Sequence, residues 1–174
     1  MIRVVLLGDS FAGKTSIFDK LIYGKSHESF CTTISPSFGN YLDKYIIYDT
    51  PGQKRWLNFA KPYIAVADAA IIVYSVEKGY SSVNKWKQIL LELNGKDIPV
   101  LQVGNKNDLK TTYKNKNVIY ISCKRDTNLQ TIFQPFFDSL ETNPKISVGW
   151  MQYISLLFPK VEDVIDHLPG CLQQ

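Results

Sequence analysis

An apolar run that ends in a glycine-bounded turn and then a helical pattern constrains this chain more than any other feature. The run is Ile2–Leu7, which predicts a buried strand. The turn, Gly8-x-x-x-x-Gly13-Lys14-Thr15, matches a phosphate-binding loop pattern. Glycines let backbone N–H groups converge on phosphate oxygens, and the start of the helix adds partial positive charge. The sequence therefore predicts a phosphate-binding site here.

Strand-like and helix-like segments alternate along the rest of the chain. The further strands are expected at Tyr45–Tyr48, Ala70–Ser75, Val100–Val103 and Val118–Ile121, and the helices at Lys14–Tyr23, about Lys54–Val66, Ser81–Leu93 and about Asn128–Leu140, which contains Pro135. Most of the strands lack polar alternation, which is typical of a parallel sheet covered on both faces. A short turn near Leu42–Asp43 instead predicts an antiparallel edge pair. The expected fold class is α/β: a three-layer P-loop NTPase fold whose mostly parallel central sheet has one antiparallel edge strand and helices on both faces.

Composition excludes several other classes of protein. The 174 residues suffice for one proper core, and a net charge of +4 is too mild to indicate nucleic acid binding. Lysine and arginine concentrate between residues 106 and 125, which indicates either a solvated face or an acidic partner. Three widely spaced cysteines suit reduced thiols, and no run reaches about 18 apolar residues. We expect a cytoplasmic protein with a main domain at 1–140 and, at 141–174, a C-terminal helical extension or tail packed on the same domain.

The motif in the glycine-bounded turn predicts a role for each of its residues. We expect nucleotide-binding contacts along the whole loop and the first turn of the helix, from Gly8, Asp9, Ser10, Phe11, Ala12, Gly13, Lys14, Thr15 and Ser16. Lys14 would bridge the β- and γ-phosphates, which makes it a candidate catalytic residue, and the Thr15 hydroxyl would bind Mg²⁺.

A second motif indicates which base is bound. The sequence NKND follows the predicted strand Val100–Val103 and fits the pattern N-K-x-D. The Asp108 carboxylate can accept hydrogen bonds from N1–H and the exocyclic amine of guanine, and adenine presents neither group. Lys106 would pack over the base, and Asn105 would tie this loop to the phosphate loop. After the last strand, three backbone N–H groups are candidates to reach guanine O6: those of Ser122, Cys123 and Lys124.

A third motif, DTPGQ, follows the strand Tyr45–Tyr48. Asp49 would hold Mg²⁺ through water, the Gly52 N–H would contact the γ-phosphate, and Gln53 would orient the attacking water as the second catalytic residue. Upstream, Thr33 suits a further Mg²⁺ contact that exists only while the γ-phosphate is present. The predicted cofactors are GTP or GDP with Mg²⁺, and the predicted metal ligands are Thr15, Thr33 and Asp49.

Together these motifs resemble the small GTPase family of the Ras superfamily, over residues 1 to about 140. GDSFAGKT, TISPSF at 33–38, YDTPGQKRW at 48–56 and ADAAIIVYSV at 67–76 are most similar to its Rab branch. The resemblance implies a monomeric GTP/GDP switch in membrane traffic or signalling, with slow hydrolysis and with effector, exchange-factor and GTPase-activating partners. It also implies that Phe38, Tyr48 and Tyr63 form an effector-reading surface, with ordinary core aromatics as the alternative.

Several residues depart from the family pattern. Pro51 replaces the usual alanine and would stiffen its loop, and Phe11 is bulky for a phosphate loop. Ser26 occupies the spacing of the aromatic that stacks on guanine. Either His27 or Phe30 substitutes for it or the base is held less tightly, and a solvated loop histidine is the favoured interpretation of His27.

Some segments of the chain also differ from the family pattern. The pair of strands between the switches is short, and residues 109–117 leave no space for the helix that the family places there. In the tail, WMQYISLLF and VEDVIDHL predict short helices packed on the domain. Cys171-Leu172-Gln173-Gln174 formally fits a prenylation box but lacks a polybasic stretch, so membrane association through Cys171 is an alternative rather than the main expectation.

Two other functions are compatible with parts of the pattern. A guanine-nucleotide-binding module with little hydrolysis would suit Pro51 and Phe11, and the response of hydrolysis to Gln53→Leu separates it from a GTPase. A P-loop kinase would need an arginine-rich lid segment, which the sequence lacks, and Asp108 argues against its use of adenine.

Overall fold

The computed structural model of the chain describes residues 1–25, 32–109, 115–126 and 128–143. Its strands are β1 (Ile2–Leu7), β2 (Ser37–Tyr41), β3 (Tyr45–Asp49), β4 (Ala69–Ser75), β5 (Val100–Asn105) and β6 (Ile119–Tyr120). Its helices are α1 (Lys14–Tyr23), α2 (Leu57–Ala65), α3 (Ser81–Asn94) and α4 (Leu129–Glu141), and a single 3₁₀ turn (Lys54–Trp56) precedes α2.

The six strands form one sheet in the order β2-β3-β1-β4-β5-β6. All neighbouring pairs are parallel except β2 and β3, which form an antiparallel edge pair. The turn between them contains Leu42 and Asp43, whose φ angles of 53° and 52° are left-handed, as tight hairpin turns require. The predicted fold class and the predicted edge pair are both confirmed.

Helices cover the sheet on both faces. Every residue of β4 is buried, which explains why its sequence shows no polar alternation. One face packs on α2 and α3 through a cluster that includes Val5, Leu7, Ile72, Ala60, Ile64, Val83 and Trp86. On the other face, the Tyr45 hydroxyl donates a hydrogen bond to the Phe137 carbonyl oxygen at 3.0 Å, which links β3 to α4. The Tyr41 and Phe137 ring centroids lie 4.9 Å apart.

This topology brings the three sequence motifs to one edge of the sheet. The motifs follow β1, β3 and β5, which run in the same direction, and the carboxyl ends of parallel strands meet at the same edge. The Thr50 hydroxyl, just after β3, donates to the Leu6 carbonyl oxygen in β1 at 2.6 Å. Loops distant in sequence are thereby held side by side.

Most element bounds agree with the sequence prediction, and two do not. The helix expected at about Lys54–Val66 is divided, because the Trp56 N–H donates to the Gln53 carbonyl oxygen at 3.0 Å and forms a 3₁₀ turn before α2. The strand expected at Val118–Ile121 is reduced to the two residues of β6. Pro135 lies inside α4, which continues to Glu141.

Residues Met1–Leu140 form one compact unit. The predictions for Ser26, His27, Phe30 and Cys171, and for the two tail helices, lie outside the described residues. Between β5 and β6, the described residues 106–109 and 115–118 contain no helix. Within the described ranges, no helix has both the length and the apolar character that spanning a bilayer requires.

Candidate functional site

The phosphate loop ends where α1 begins. Gly13 precedes the helix with a φ of 94°, a left-handed conformation that favours glycine. A Cβ atom there would also lie 2.1 Å from the amide nitrogen of Asn105, so any larger residue would clash. No side chain of the described residues caps the start of α1, which leaves the N–H groups of its first turn directed at the loop. This is the geometry of an anion site.

Lys14 is buried above that loop. Its amine donates to the carbonyl oxygens of Gly8 at 2.9 Å and Asp9 at 3.0 Å. Burial lowers the pKa of Lys14 to about 8, although the carboxylates of Asp49 and Asp9 act in the opposite direction. An anion in the loop would stabilise the charged amine, because both of these acceptors are neutral carbonyls.

The three predicted metal ligands come together although they lie in three separate segments. The Thr15 hydroxyl donates to Asp49 Oδ2 at 2.7 Å and lies 2.9 Å from the Thr33 hydroxyl, which is itself 3.5 Å from the same carboxylate oxygen. Asp49 Oδ1 is buried and has no hydrogen-bond partner among the described residues. Burial raises the pKa of Asp49, and the Thr15 hydrogen bond and the Lys14 charge oppose that rise.

This cluster fits a magnesium ion. Mg²⁺ prefers hard oxygen ligands and is usually held by one or two carboxylates together with substrate phosphates. Two hydroxyls and one carboxylate, whose buried Oδ1 has no hydrogen-bond partner among the described residues, provide that donor set beside an anion-binding loop. The residues present therefore suit the ion that the sequence predicted.

The loop after β3 lies against the phosphate loop. A Cβ atom at Gly52 would lie 2.5 Å from the Asp9 carbonyl carbon and 2.5 Å from the Ser10 nitrogen, so only glycine allows this approach. Gln53 follows, and its Oε1 accepts a hydrogen bond from Arg55 Nε at 2.6 Å. The structure thus brings Gly52 into contact with the phosphate loop, while the amide oxygen of Gln53 is hydrogen-bonded to Arg55.

Asn105 connects three loops. Its buried amide nitrogen donates to the Ala12 carbonyl oxygen at 2.9 Å, which is the tie to the phosphate loop predicted from sequence. Its Oδ1 accepts hydrogen bonds from the backbone N–H groups of Lys106 at 2.7 Å and Cys123 at 3.1 Å. Asn105 therefore fixes the positions of both candidate base-binding loops relative to the phosphate loop.

Asp108 is held by the loop that follows β6. The Ser122 hydroxyl donates to Asp108 Oδ1 at 2.6 Å, and this hydrogen bond contributes most to lowering the pKa of Asp108. The carboxylate is therefore ionised at neutral pH, as an acceptor for guanine must be. Burial raises the pKa of the neighbouring Cys123 thiol to about 12, so this thiol stays protonated.

The backbone donors predicted for guanine O6 differ in availability. The Ser122 N–H donates to Asp126 Oδ2 at 2.6 Å, and the Cys123 N–H donates to Asn105 Oδ1. The described residues provide no acceptor for the Lys124 N–H. Among the described residues, the Lys124 N–H is thus the one of the three predicted donors that has no acceptor.

Sequence reasoning missed two supporting contacts. Asp9 Oδ1 accepts hydrogen bonds from Lys85 Nζ and Trp86 Nε1, both at 3.0 Å, which ties the phosphate loop to α3. Burial alone would raise the pKa of Asp9, but these two hydrogen bonds, together with the charges of Lys85 and Lys14, outweigh it and lower the pKa. No local pattern announces a contact across 77 residues. The second, in which the Ser122 N–H donates to Asp126 Oδ2, spans four residues, and the aspartate in a polar turn was its only signal.

The three candidate effector aromatics form a row on β2, β3 and α2. The ring centroids of Phe38 and Tyr48 lie 6.4 Å apart, and those of Tyr48 and Tyr63 lie 5.0 Å apart. Phe38 is 67% exposed, and the other two are partly buried. The alternative of ordinary core aromatics is therefore wrong for Phe38.

A strand, a glycine-bounded loop and an uncapped helix start at the carboxyl edge of a mostly parallel sheet define a P-loop α/β protein. The profile of the Ras family matches residues 3–142, and the chain belongs to that family.

Comparison with curated proteins shows similarity to the Rab branch. Ras-related protein Rab-31 from Homo sapiens is 35% identical over 117 residues, which cover 62% of this chain and 60% of the relative. GTP-binding protein YPT53 from Saccharomyces cerevisiae is 32% identical over 161 residues, covering 76% and 73%. Ras-related protein SEC4 from the same yeast is 26% identical over 174 residues, covering 86% and 81%. The chain thus spans about 60% of the length of Rab-31.

Proposed function

We propose that the protein is a Rab-like GTPase, a molecular switch that binds GTP or GDP with Mg²⁺ and hydrolyses GTP slowly. The observation that carries this proposal is the meeting of Thr15, Thr33 and Asp49, from three segments, within 2.7 to 3.5 Å of one another. Such a cluster couples the loop before β2 to the phosphate loop, which is what a nucleotide-dependent switch requires. Membership of the Ras family supports the same function.

Different residues of the site would bind the phosphates, the metal and the base of the nucleotide. The N–H groups at the start of α1 and the Lys14 amine would hold the phosphates, and Thr15, Thr33 and Asp49 would hold the metal. When bound, Mg²⁺ supplies positive charge that neutralises the β- and γ-phosphate oxygens. Asp108, which accepts a hydrogen bond from the Ser122 hydroxyl, would select guanine.

Hydrolysis would depend on the loop after β3. Gly52 contributes its N–H to the γ-phosphate, Gln53 orients the attacking water through its side-chain amide, and Lys14 stabilises the negative charge that develops. Arg55 is exposed and does not reach into the phosphate loop, so a GTPase-activating partner would supply the catalytic arginine. Such an arginine is worth about 10³ to 10⁵ in rate.

The switch would operate through the two loops that contact the γ-phosphate. Its loss removes the Thr33 and Gly52 contacts and relaxes both loops. Phe38 lies five residues after Thr33, and Tyr63 lies in the helix that follows Gly52. Effectors would read the nucleotide state from the row that these two rings form with Tyr48.

The cellular role follows from the family likeness. We place the protein as a monomer in the cytoplasm, acting in membrane traffic or signalling with effectors and exchange factors. Peripheral attachment to a membrane through Cys171 is the weaker part of this proposal, since the box at 171–174 is a poor prenylation signal.

Two observations favour a second candidate, a guanine-nucleotide-binding module with little hydrolysis. Pro51 is buried and stiffens the loop that carries Gln53. Phe11 has a φ of 62°, an uncommon conformation for a bulky residue in a phosphate loop. Pro51 restricts the loop after β3, and the φ angle of Phe11 restricts the phosphate loop. Both loops are therefore less able to change conformation.

Mass spectrometry of the nucleotide that co-purifies with the chain tests binding, and single-turnover GTP hydrolysis tests catalysis. A GTPase should retain GDP or GTP, and Gln53→Leu should hydrolyse GTP more slowly than the wild type. Gln88→Leu, which changes an exposed glutamine on α3, is the matched control and should hydrolyse GTP at the wild-type rate. Equal rates for wild type and Gln53→Leu, even with activating proteins present, would favour the binding module.

A further inference from the structure

The side chain of Gln53 already has a partner in the protein. Arg55 Nε donates a hydrogen bond to Gln53 Oε1 at 2.6 Å. The proposed mechanism requires an oxygen on this amide to accept a hydrogen bond from the attacking water. A cationic donor on that oxygen occupies one of its two lone pairs and weakens the other as an acceptor.

Arg55 is itself held in place by the aromatic residues that follow it. Its guanidinium carbon lies 5.1 Å from the centre of the Trp56 ring, within cation–π range. The Trp56 ring lies 5.9 Å from the Phe59 ring on α2. The Trp56 N–H donates to the Gln53 carbonyl oxygen and closes the 3₁₀ turn. This turn brings the side chains of Gln53 and Arg55 together.

The location of the hydrogen bond between Arg55 and Gln53 matters for catalysis. Gly52 is the residue that touches the phosphate loop, and the chain then passes through Gln53 into the exposed 3₁₀ turn. Arg55 is exposed and Gln53 is partly buried, so their hydrogen bond lies at the surface of the turn. With one lone pair of Oε1 bound to Arg55, the amide is a weaker acceptor for a water at the phosphate loop.

We propose that Arg55 is a positioning residue that restrains Gln53 and keeps intrinsic GTP hydrolysis below the rate that Gln53 alone would support. The inference rests on the proposed GTPase function and adds a residue that limits it. Any partner that takes the guanidinium away from Gln53 would therefore raise the rate before contributing a catalytic group of its own.

Single-turnover GTP hydrolysis by wild type, Arg55→Ala, Gln53→Leu and the double variant tests this role. Because the contact is exposed, we expect Arg55→Ala to accelerate hydrolysis about twofold to fivefold, equivalent to about 0.4 to 1 kcal/mol. In the Gln53→Leu background the same substitution should have no effect, which a merely structural role of Arg55 would not produce. Lys54→Ala removes the neighbouring exposed charge and should leave the rate unchanged.

Each other outcome overturns the inference or the function beneath it. An Arg55→Ala rate that is unchanged or lower refutes the restraint, as does an equal acceleration in the Gln53→Leu background. The proposed function fails instead if guanine nucleotide does not bind, or if wild type and Arg55→Ala both hydrolyse GTP no faster than Gln53→Leu. Stoichiometric GTP retention by every variant shows that the rates compare folded proteins.

Discussion

Asn105 is the residue whose removal should do most to separate the two halves of the site. Its side chain makes three hydrogen bonds, to the Ala12 carbonyl oxygen and from the N–H groups of Lys106 and Cys123. Asn105→Ala removes all three and adds none. Since Asn105 is only 2% exposed, water cannot fully replace the lost partners.

The size of the effect follows from those contacts. Each hydrogen bond contributes about 1 kcal/mol net, and a buried polar group left without a partner costs about 1 to 3 kcal/mol. Because Lys106 and Cys123 are only partly buried, the loss falls short of the full penalty for three orphaned groups. We expect the free energy of unfolding to fall by about 2 to 4 kcal/mol.

Nucleotide affinity should fall as well, because the same bonds hold the base loops in register with the phosphate loop. Asn94→Ala is the matched control: the Asn94 amide donates to the carbonyl oxygens of Ile64 and Ala67 at the end of α2, away from the site. Urea unfolding should show a lower free energy of unfolding for both variants than for the wild type. Isothermal titration of GDP should show at least about a tenfold weaker Kd, or 1.4 kcal/mol, for Asn105→Ala only.

Unchanged GDP affinity in folded Asn105→Ala would refute this reasoning, because the contact would then stabilise the fold without organising the site. An equal loss of affinity in Asn94→Ala would refute it too. In that case the weaker binding would reflect general destabilisation.

Three further substitutions test single residues. Asp108→Asn should shift nucleotide preference from guanine towards xanthine in competition binding, because an amide can donate to the xanthine O2; unchanged selectivity would remove Asp108 from the base site. Thr15→Val, which deletes only the hydroxyl, should weaken Mg²⁺-dependent GTP binding by at least about tenfold and GDP binding less, and equal losses would argue against a metal ligand. Phe11→Gly should leave the free energy of unfolding unchanged or raise it by up to about 1 kcal/mol, since relief of a left-handed φ offsets the entropy of glycine. Phe59→Gly, inside α2 and similarly exposed, should lose about 1 kcal/mol, and equal losses at the two positions would contradict strain at Phe11.

Local patterns account for much of the fold. The bounds of β1 and α1 were predicted from sequence to the residue, because an apolar run and a helical spacing meet at a glycine turn there. The division between the 3₁₀ turn and α2 was missed, since one backbone bond from Trp56 to Gln53 decides it.

The candidate site likewise contains residues that sequence motifs predicted and contacts that depend on tertiary packing. Motif spacing indicated that Thr15 and Asp49 share a function, since their motifs follow β1 and β3 at one edge of the sheet, and Thr33, between the two motifs, suited a further Mg²⁺ contact. The contact of Asp9 with Trp86 depends on how α3 packs, and no pattern within either segment encodes it. The bond between Arg55 and Gln53 depends on the 3₁₀ turn, and so it was missed together with that turn.

Isothermal titration calorimetry of the nucleotide-free chain in excess Mg²⁺ tests the central claim most directly, namely that loops after β1, β3 and β5 form one guanine-nucleotide site. The account predicts saturable one-to-one binding of both GTP and GDP, and no binding of ATP at the same concentrations. An absence of heat with both guanine nucleotides, or equally tight binding of ATP, would contradict it.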